Sequence, residues 1–190
     1  MAKIGFIGMG NMGYAILKGL LNVYGKEEII FTDVNPGRCR QVSEETGVSF
    51  AACNAECAAS AKYIVLAVKP QFFAPVLSDI AGTVTKDHII ISIAPGITVD
   101  SVRETLGADK RIVRAMPNTP ALLGEGMTGV CYDPALFAKE EQETIRSLFE
   151  SFGKMQTVEE RLMNAVVCVS GSSPASVSYT HLTLPTNSRV

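Results

Sequence analysis

The sequence predicts an α/β protein: a doubly wound, mostly parallel sheet followed by the start of a helical second domain. Three observations carry this reading. Short apolar runs alternate with longer segments of helical period, the pattern of βαβ units. A glycine-rich turn, Gly8-Met9-Gly10-Asn11-Met12-Gly13, follows the first apolar run and opens the first helical segment. Of the 190 residues, 47% are hydrophobic and 19% charged, enough apolar side chain to fill a core.

The elements follow in order. Residues 3–7 read as a buried strand, and 11–23 as a helix whose apolar positions Ile16, Leu17, Leu20 and Leu21 recur at helical spacing. Residues 29–32 form a second strand. Pro36 suits the first position of the next helix, which ends near Gly47. A short strand over 48–50 precedes a small alanine-rich helix over 54–60, for which Asn54 is the expected cap. Residues 63–68 are a buried strand closed by Lys69-Pro70. Helices over 72–80 and 99–106 alternate with strands over 89–93 and 111–115. Residues 127–132 form another strand, 138–152 an acidic amphipathic helix, and 154–158 a final strand. From Leu162 the apolar run to 169 reads as the start of a long helix. The expected organisation is thus a dinucleotide-binding domain over 1–160, the opening of a helical domain over 161–175, and a tail over 176–190.

Charge excludes some classes of function. Seventeen Lys and Arg against nineteen Asp and Glu leave a net charge of −2, which does not suit nucleic-acid binding through bulk positive charge. No run approaches the roughly 20 apolar residues of a membrane span, and the N-terminus has no signal-peptide pattern, so a cytoplasmic protein is expected. Five cysteines, Cys39, Cys53, Cys57, Cys131 and Cys168, are an odd number without a scaffold rhythm. Cys53 and Cys57 lack a second pair or a nearby His, so no metal site is expected.

The glycine motif carries the chemistry. Gly8 makes the tight turn, Gly10 lets backbone approach a pyrophosphate, and Gly13 lets the helix pack close to the strand. The helix N-terminus then turns free N–H groups towards the phosphates. Asp33, twenty residues after Gly13, stands where a carboxylate bonds a ribose 2′-hydroxyl, which points to NAD. Asn35 and Arg38 follow at once, and an Arg beside a polar donor suits a 2′-phosphate, which points to NADP. Both cofactors stay open on these residues. Lys69 and the small-residue turn Ser92-Ile93-Ala94-Pro95-Gly96 close further strands at the same edge of the sheet. In Arg114-Ala115-Met116-Pro117-Asn118-Thr119-Pro120, two prolines bracket an amide and a hydroxyl, a loop suited to preorganised polar contacts. His88 is read as structural, and no catalytic triad or carboxylate pair stands out.

Taken together with Ala67-Val68-Lys69-Pro70 and Val169-Ser170-Gly171-Ser172-Ser173-Pro174-Ala175, these segments resemble pyrroline-5-carboxylate reductase over residues 1–175. The resemblance implies a Rossmann-type fold and reduction of 1-pyrroline-5-carboxylate to L-proline by NAD(P)H. It implies cofactor contacts at Gly8, Gly10, Asn11, Met12 and Gly13, then at Asn35 and Arg38, and at Asn54. These continue at Ala67, Val68, Lys69 and Pro70, and at Ile93, Ala94 and Pro95. It favours NADPH, with NAD as the alternative, and a homo-oligomeric full-length form.

After Ala175 the chain departs from the family pattern. The family continues into a long helical domain that supplies most of the substrate site, including a hydroxyl for the imine nitrogen. Here Ser176-Val177-Ser178-Tyr179-Thr180-His181 and the residues after it do not match, as expected of a truncated, frame-shifted or vector-derived tail. No catalytic residue is therefore assigned, and the chain alone is expected to be inactive. Two other classes compete. One is another Rossmann reductase, such as a deazaflavin-dependent NADP oxidoreductase or a 3-hydroxyacid dehydrogenase, the latter disfavoured because no Lys follows Lys154. The other is a non-catalytic dinucleotide-binding module.

Overall fold

The computed structural model describes residues 2–172. Ser173, Pro174, Ala175 and the tail over 176–190, with the expectations placed on them, lie outside the described residues. Eight strands form one sheet in the order β3-β2-β1-β4-β5-β6-β7-β8. They are β1 (Ala2–Ile7), β2 (Ile29–Thr32), β3 (Ser49–Phe50), β4 (Ala61–Leu66), β5 (Ile89–Ser92), β6 (Arg111–Met116), β7 (Gly126–Cys131) and β8 (Gly153–Thr157). Among the described residues, seven α-helices accompany them: α1 (Asn11–Leu20), α2 (Pro36–Thr46), α3 (Asn54–Ala59), α4 (Phe73–Ile80), α5 (Val99–Leu106), α6 (Lys139–Glu150) and α7 (Met163–Val166).

Strand parity decides which residues meet which layer. On β4, Tyr63 and Val65 face one layer, with Phe6, Phe31, Ile91 and Val113, against Leu17 and Leu20 of α1 and Leu148 and Phe149 of α6. Ile64 and Leu66 face the other, with Ile7, Ile90 and Ile112, against Leu77 of α4 and Val102 of α5. Ile64, Val65 and Leu66 are wholly buried, which is why the central strands read as continuous apolar runs rather than as alternating ones.

Connection length sets the direction of each strand. Helical crossovers join β1 to β6 in parallel register. Between β6 and β7 lie only residues 117–125, too short for a crossover, and β7 returns antiparallel. The α6 crossover then restores parallel pairing between β7 and β8. The sheet is doubly wound and mostly parallel, as the sequence predicts.

Several boundaries differ from the sequence reading. The first helix stops at Leu20 rather than 23, because Asn22 and Val23 bond three residues back, to Gly19 and Leu20, and tighten the chain into a turn. β4 begins two residues early and ends at Leu66, which leaves Ala67 and Val68 in the exit loop. Asn54 is not the cap of α3. Cys53 occupies that position, and the Asn54 amide instead donates to Asp79 of α4 at 2.9 Å. The run after Leu162 is helical in the described residues, but α7 passes at Val167 into wider π-type turns up to Ser172.

Candidate dinucleotide site

The order of the sheet reverses at β1, flanked by β2 and β4, and at such a switch point the loops leaving the strands open a crevice. Three backbone bonds stitch these exits together: Gly8 N–H to Thr32 O at 2.9 Å, Ala67 N–H to Ile7 O at 2.9 Å, and Ile93 N–H to Leu66 O at 3.3 Å.

The three motif glycines differ in what surrounds them. Gly8 has a φ of +96°, and a Cβ there would lie 2.7 Å from the Ala67 carbonyl oxygen. A Cβ on Gly13 would lie 2.6 Å from the Gly8 oxygen. Both are packing glycines. Among the described residues nothing lies within 4 Å of a Cβ placed on Gly10, and the residue is exposed, so a ligand can approach its backbone. Gly10 also forms the N-cap of α1, with no side-chain cap and no acidic residue in the first turn. The first N–H groups of α1 thus keep their donors, and the positive helix end, for an anion.

Asn11 and Met12 belong to this first turn. Ala67 and Val68 are half-buried beside Gly8, whereas Lys69 and Pro70 are exposed at the start of a short 3-10 turn. Ile93 and Ala94 are buried at the exit of β5, and Pro95 is exposed. All leave the same C-terminal edge of the sheet. Asn54 stands beyond β3, at the start of α3.

The residues after β2 are engaged by contacts within the chain. Asn35 caps α2, its Oδ1 accepting N–H bonds from Gly37 at 2.9 Å and Arg38 at 3.3 Å. The Asp33 carboxylate accepts from Met9 N–H at 2.7 Å and from Asn35 N–H at 2.9 Å. Arg38 Nε donates to Met9 O at 2.9 Å, and its guanidinium lies over the Tyr14 ring, 4.8 Å from the centroid. Tyr14 donates to Glu45 at 2.8 Å; that bond, then burial, raises the phenol pKa, and the same bond lowers that of Glu45.

The loop with two prolines acts as a clamp. Asn118 is 7% exposed; its Oδ1 accepts from Met127 N–H at 2.9 Å, and its Nδ2 donates to the Ser170 carbonyl at 3.2 Å. Four residues earlier, buried Arg114 pairs with Glu160 at 3.2 Å, and the same Glu160 oxygen accepts the Val99 N–H at the start of α5. Two side chains of one motif thus tie residues 160–170 to the sheet. The motif announces polar contacts, but the partners are about 50 residues away and carry no local signal.

His88 Nδ1 accepts from Thr85 N–H at 3.0 Å and closes its own turn. Burial, above all, pushes the Cys57 thiol up to about 12, an inert core residue. Among the described residues, no three His, Cys, Asp or Glu side chains gather as a metal site, and no helix is long and apolar enough to cross a membrane.

Known proteins share both sequence and fold with the chain. Residues 3–96 match the family model described as "NADP oxidoreductase coenzyme F420-dependent". The pyrroline-5-carboxylate reductase of Escherichia coli (strain K12) is 42% identical over 178 residues, which cover 92% of this chain and 65% of that protein. The solved structure of the Coxiella burnetii pyrroline-5-carboxylate reductase superposes with a TM-score of 0.86 at 33% identity, over 93% of this chain and 66% of that one. The Plasmodium falciparum pyrroline carboxylate reductase, solved with NADP bound, gives 0.82 at 30% identity, over 93% of this chain and 64% of that one. The chain spans about 65% of the length of such relatives. Over that span, in sequence and in fold, it is similar to the pyrroline-5-carboxylate reductases.

Proposed function

We propose that the chain is the dinucleotide-binding part of a reductase that passes a hydride from NADPH to the C=N bond of 1-pyrroline-5-carboxylate, giving L-proline. The observation that carries the reading is the open approach to Gly10 in front of an uncapped helix N-terminus, at the switch point of a sheet whose relatives include a reductase with NADP bound.

The residues divide the work by position. Gly10, Asn11, Met12 and Gly13 hold the pyrophosphate through backbone N–H groups and the positive end of α1, and Gly8, whose N–H is taken by Thr32 O, shapes the turn beneath it. Asn35 and Arg38 border the adenosine ribose after β2, and the Arg38 charge supports NADP over NAD. Ala67, Val68, Lys69 and Pro70, with Ile93, Ala94 and Pro95, form the wall along which the nicotinamide half lies. Asn54 closes the rim beyond β3. When bound, NADPH supplies the hydride. The chain's contribution is orientation: a rigid rim fixes the reacting face and lowers the entropic part of the barrier. We also place the protein in the cytoplasm, as a homo-oligomer, with residues 161–175 opening a helical domain.

The test is oxidation of NADPH with 1-pyrroline-5-carboxylate, by the chain itself and by the chain joined at residue 175 to the remaining third of a relative. The expected result is proline formation by the joined protein, at a higher rate with NADPH than with NADH. Absence of proline from both proteins, although both bind NADPH, would overturn the assignment and leave a binding module.

A further inference from the structure

The Met9 peptide, between the first two motif glycines, is held at both ends. Its N–H donates to the Asp33 carboxylate at 2.7 Å, and its C=O accepts from Arg38 Nε at 2.9 Å. One residue earlier, Gly8 N–H donates to the Thr32 carbonyl at 2.9 Å. Three successive bonds thus fasten the glycine-rich loop to the chain leaving β2. Two of them are charge-assisted, with the negative group at the N–H and the positive group at the C=O. The Met9 side chain beneath is fully buried, so the peptide is fixed from below as well. The second Asp33 oxygen is engaged by Asn35 N–H at 2.9 Å, which ties the carboxylate to the cap of α2. Arg38 is itself steadied by Gln41 at 3.1 Å and by the Tyr14 ring.

We propose that Asp33 is a positioning residue of the glycine-rich loop rather than the reader of the adenosine ribose. The inference rests on the dinucleotide reading of this site. A carboxylate at the end of the second strand is the usual acceptor for a ribose 2′-hydroxyl, and there it separates NAD from NADP. Here each of its oxygens already accepts a backbone N–H, one from either loop. Its work is done before any ligand arrives: it holds the loop in the shape that presents Gly10 and the start of α1, so that binding need not order the loop. Such a residue affects every dinucleotide alike. A ribose reader affects the two cofactors in opposite directions.

The experiment compares NADPH and NADH affinities, by calorimetry, for the parent chain, Asp33→Ala and Asp33→Asn, together with amide hydrogen exchange at Met9. Loss of one charge-assisted bond should weaken both cofactors by about tenfold in Asp33→Ala. The same variant should accelerate exchange at Met9. Asp33→Asn keeps an acceptor oxygen for Met9 and should recover most of the lost affinity, with the NADPH:NADH ratio within about threefold of the parent in both variants. If Asp33→Ala does not fold, the Asp33→Asn ratio and exchange decide. A rise of tenfold or more in that ratio, with NADH weakened and NADPH not, would overturn the proposal. So would unchanged affinity for both cofactors, or an equally protected Met9 amide in Asp33→Ala. A parent chain that binds neither cofactor would instead defeat the dinucleotide reading itself.

Discussion

Gly10 and Gly13 stand three residues apart, yet the physical demand on each is opposite. Gly13 is required by the protein: a methyl group there would press on the Gly8 backbone oxygen at 2.6 Å and meet the Ala67 methyl at 3.2 Å, which leaves little room to yield. Gly13→Ala should cost about 1–3 kcal/mol, the range of overpacking, and denaturant unfolding checks it. Gly10 is required by the ligand. Its extended conformation, φ −70° and ψ −169°, is open to any L-residue, and its Cβ position faces open space. The sequence distinguishes these roles because motif spacing places each glycine on a strand exit, a turn or a first helical turn. For Asp33 it locates the residue but not the direction of its carboxylate, which depends on Met9, 24 residues earlier. Asn35 and Arg38 likewise hold cap and loop contacts whose partners the sequence does not reveal.

At the scale of elements, α6 is docked by Glu141, whose carboxylate meets Lys62 and Arg111 at 2.7 Å each and accepts Ala138 N–H at 3.0 Å. Burial alone would push this carboxyl up, but the bonds from Lys62, Arg111 and Ala138 outweigh it and hold the pKa at about 2. A folded pKa below the ordinary carboxylate value stabilises the protein above that value, and the contribution is lost as pH falls from about 4 towards 2. Glu141→Gln should therefore cost about 3 kcal/mol at neutral pH and flatten the fall in stability below pH 5, as urea melts across that range will show. The elements themselves were legible wherever an apolar period ran long, as in the central strands and α1. The antiparallel turn of β7 follows from a connection too short for a crossover. The cap of α3 was not legible, because Asn54 finds its partner in Asp79, on another helix.

Over the whole molecule, two apolar layers on either side of the sheet hold the strand ends at one rim, and the candidate site is that rim. Nothing in the core depends on Gly10, so fold and binding can be separated experimentally. The central claim is that this rim binds NADPH through the Gly10 peptide and the start of α1. The most direct measurement is an NADPH titration of the parent chain and of Gly10→Val, each first shown to be folded by its thermal melt. Equal melting temperatures, binding by the parent, and affinity at least about tenfold weaker in Gly10→Val are expected. A folded Gly10→Val chain that binds NADPH as tightly as the parent would contradict that claim.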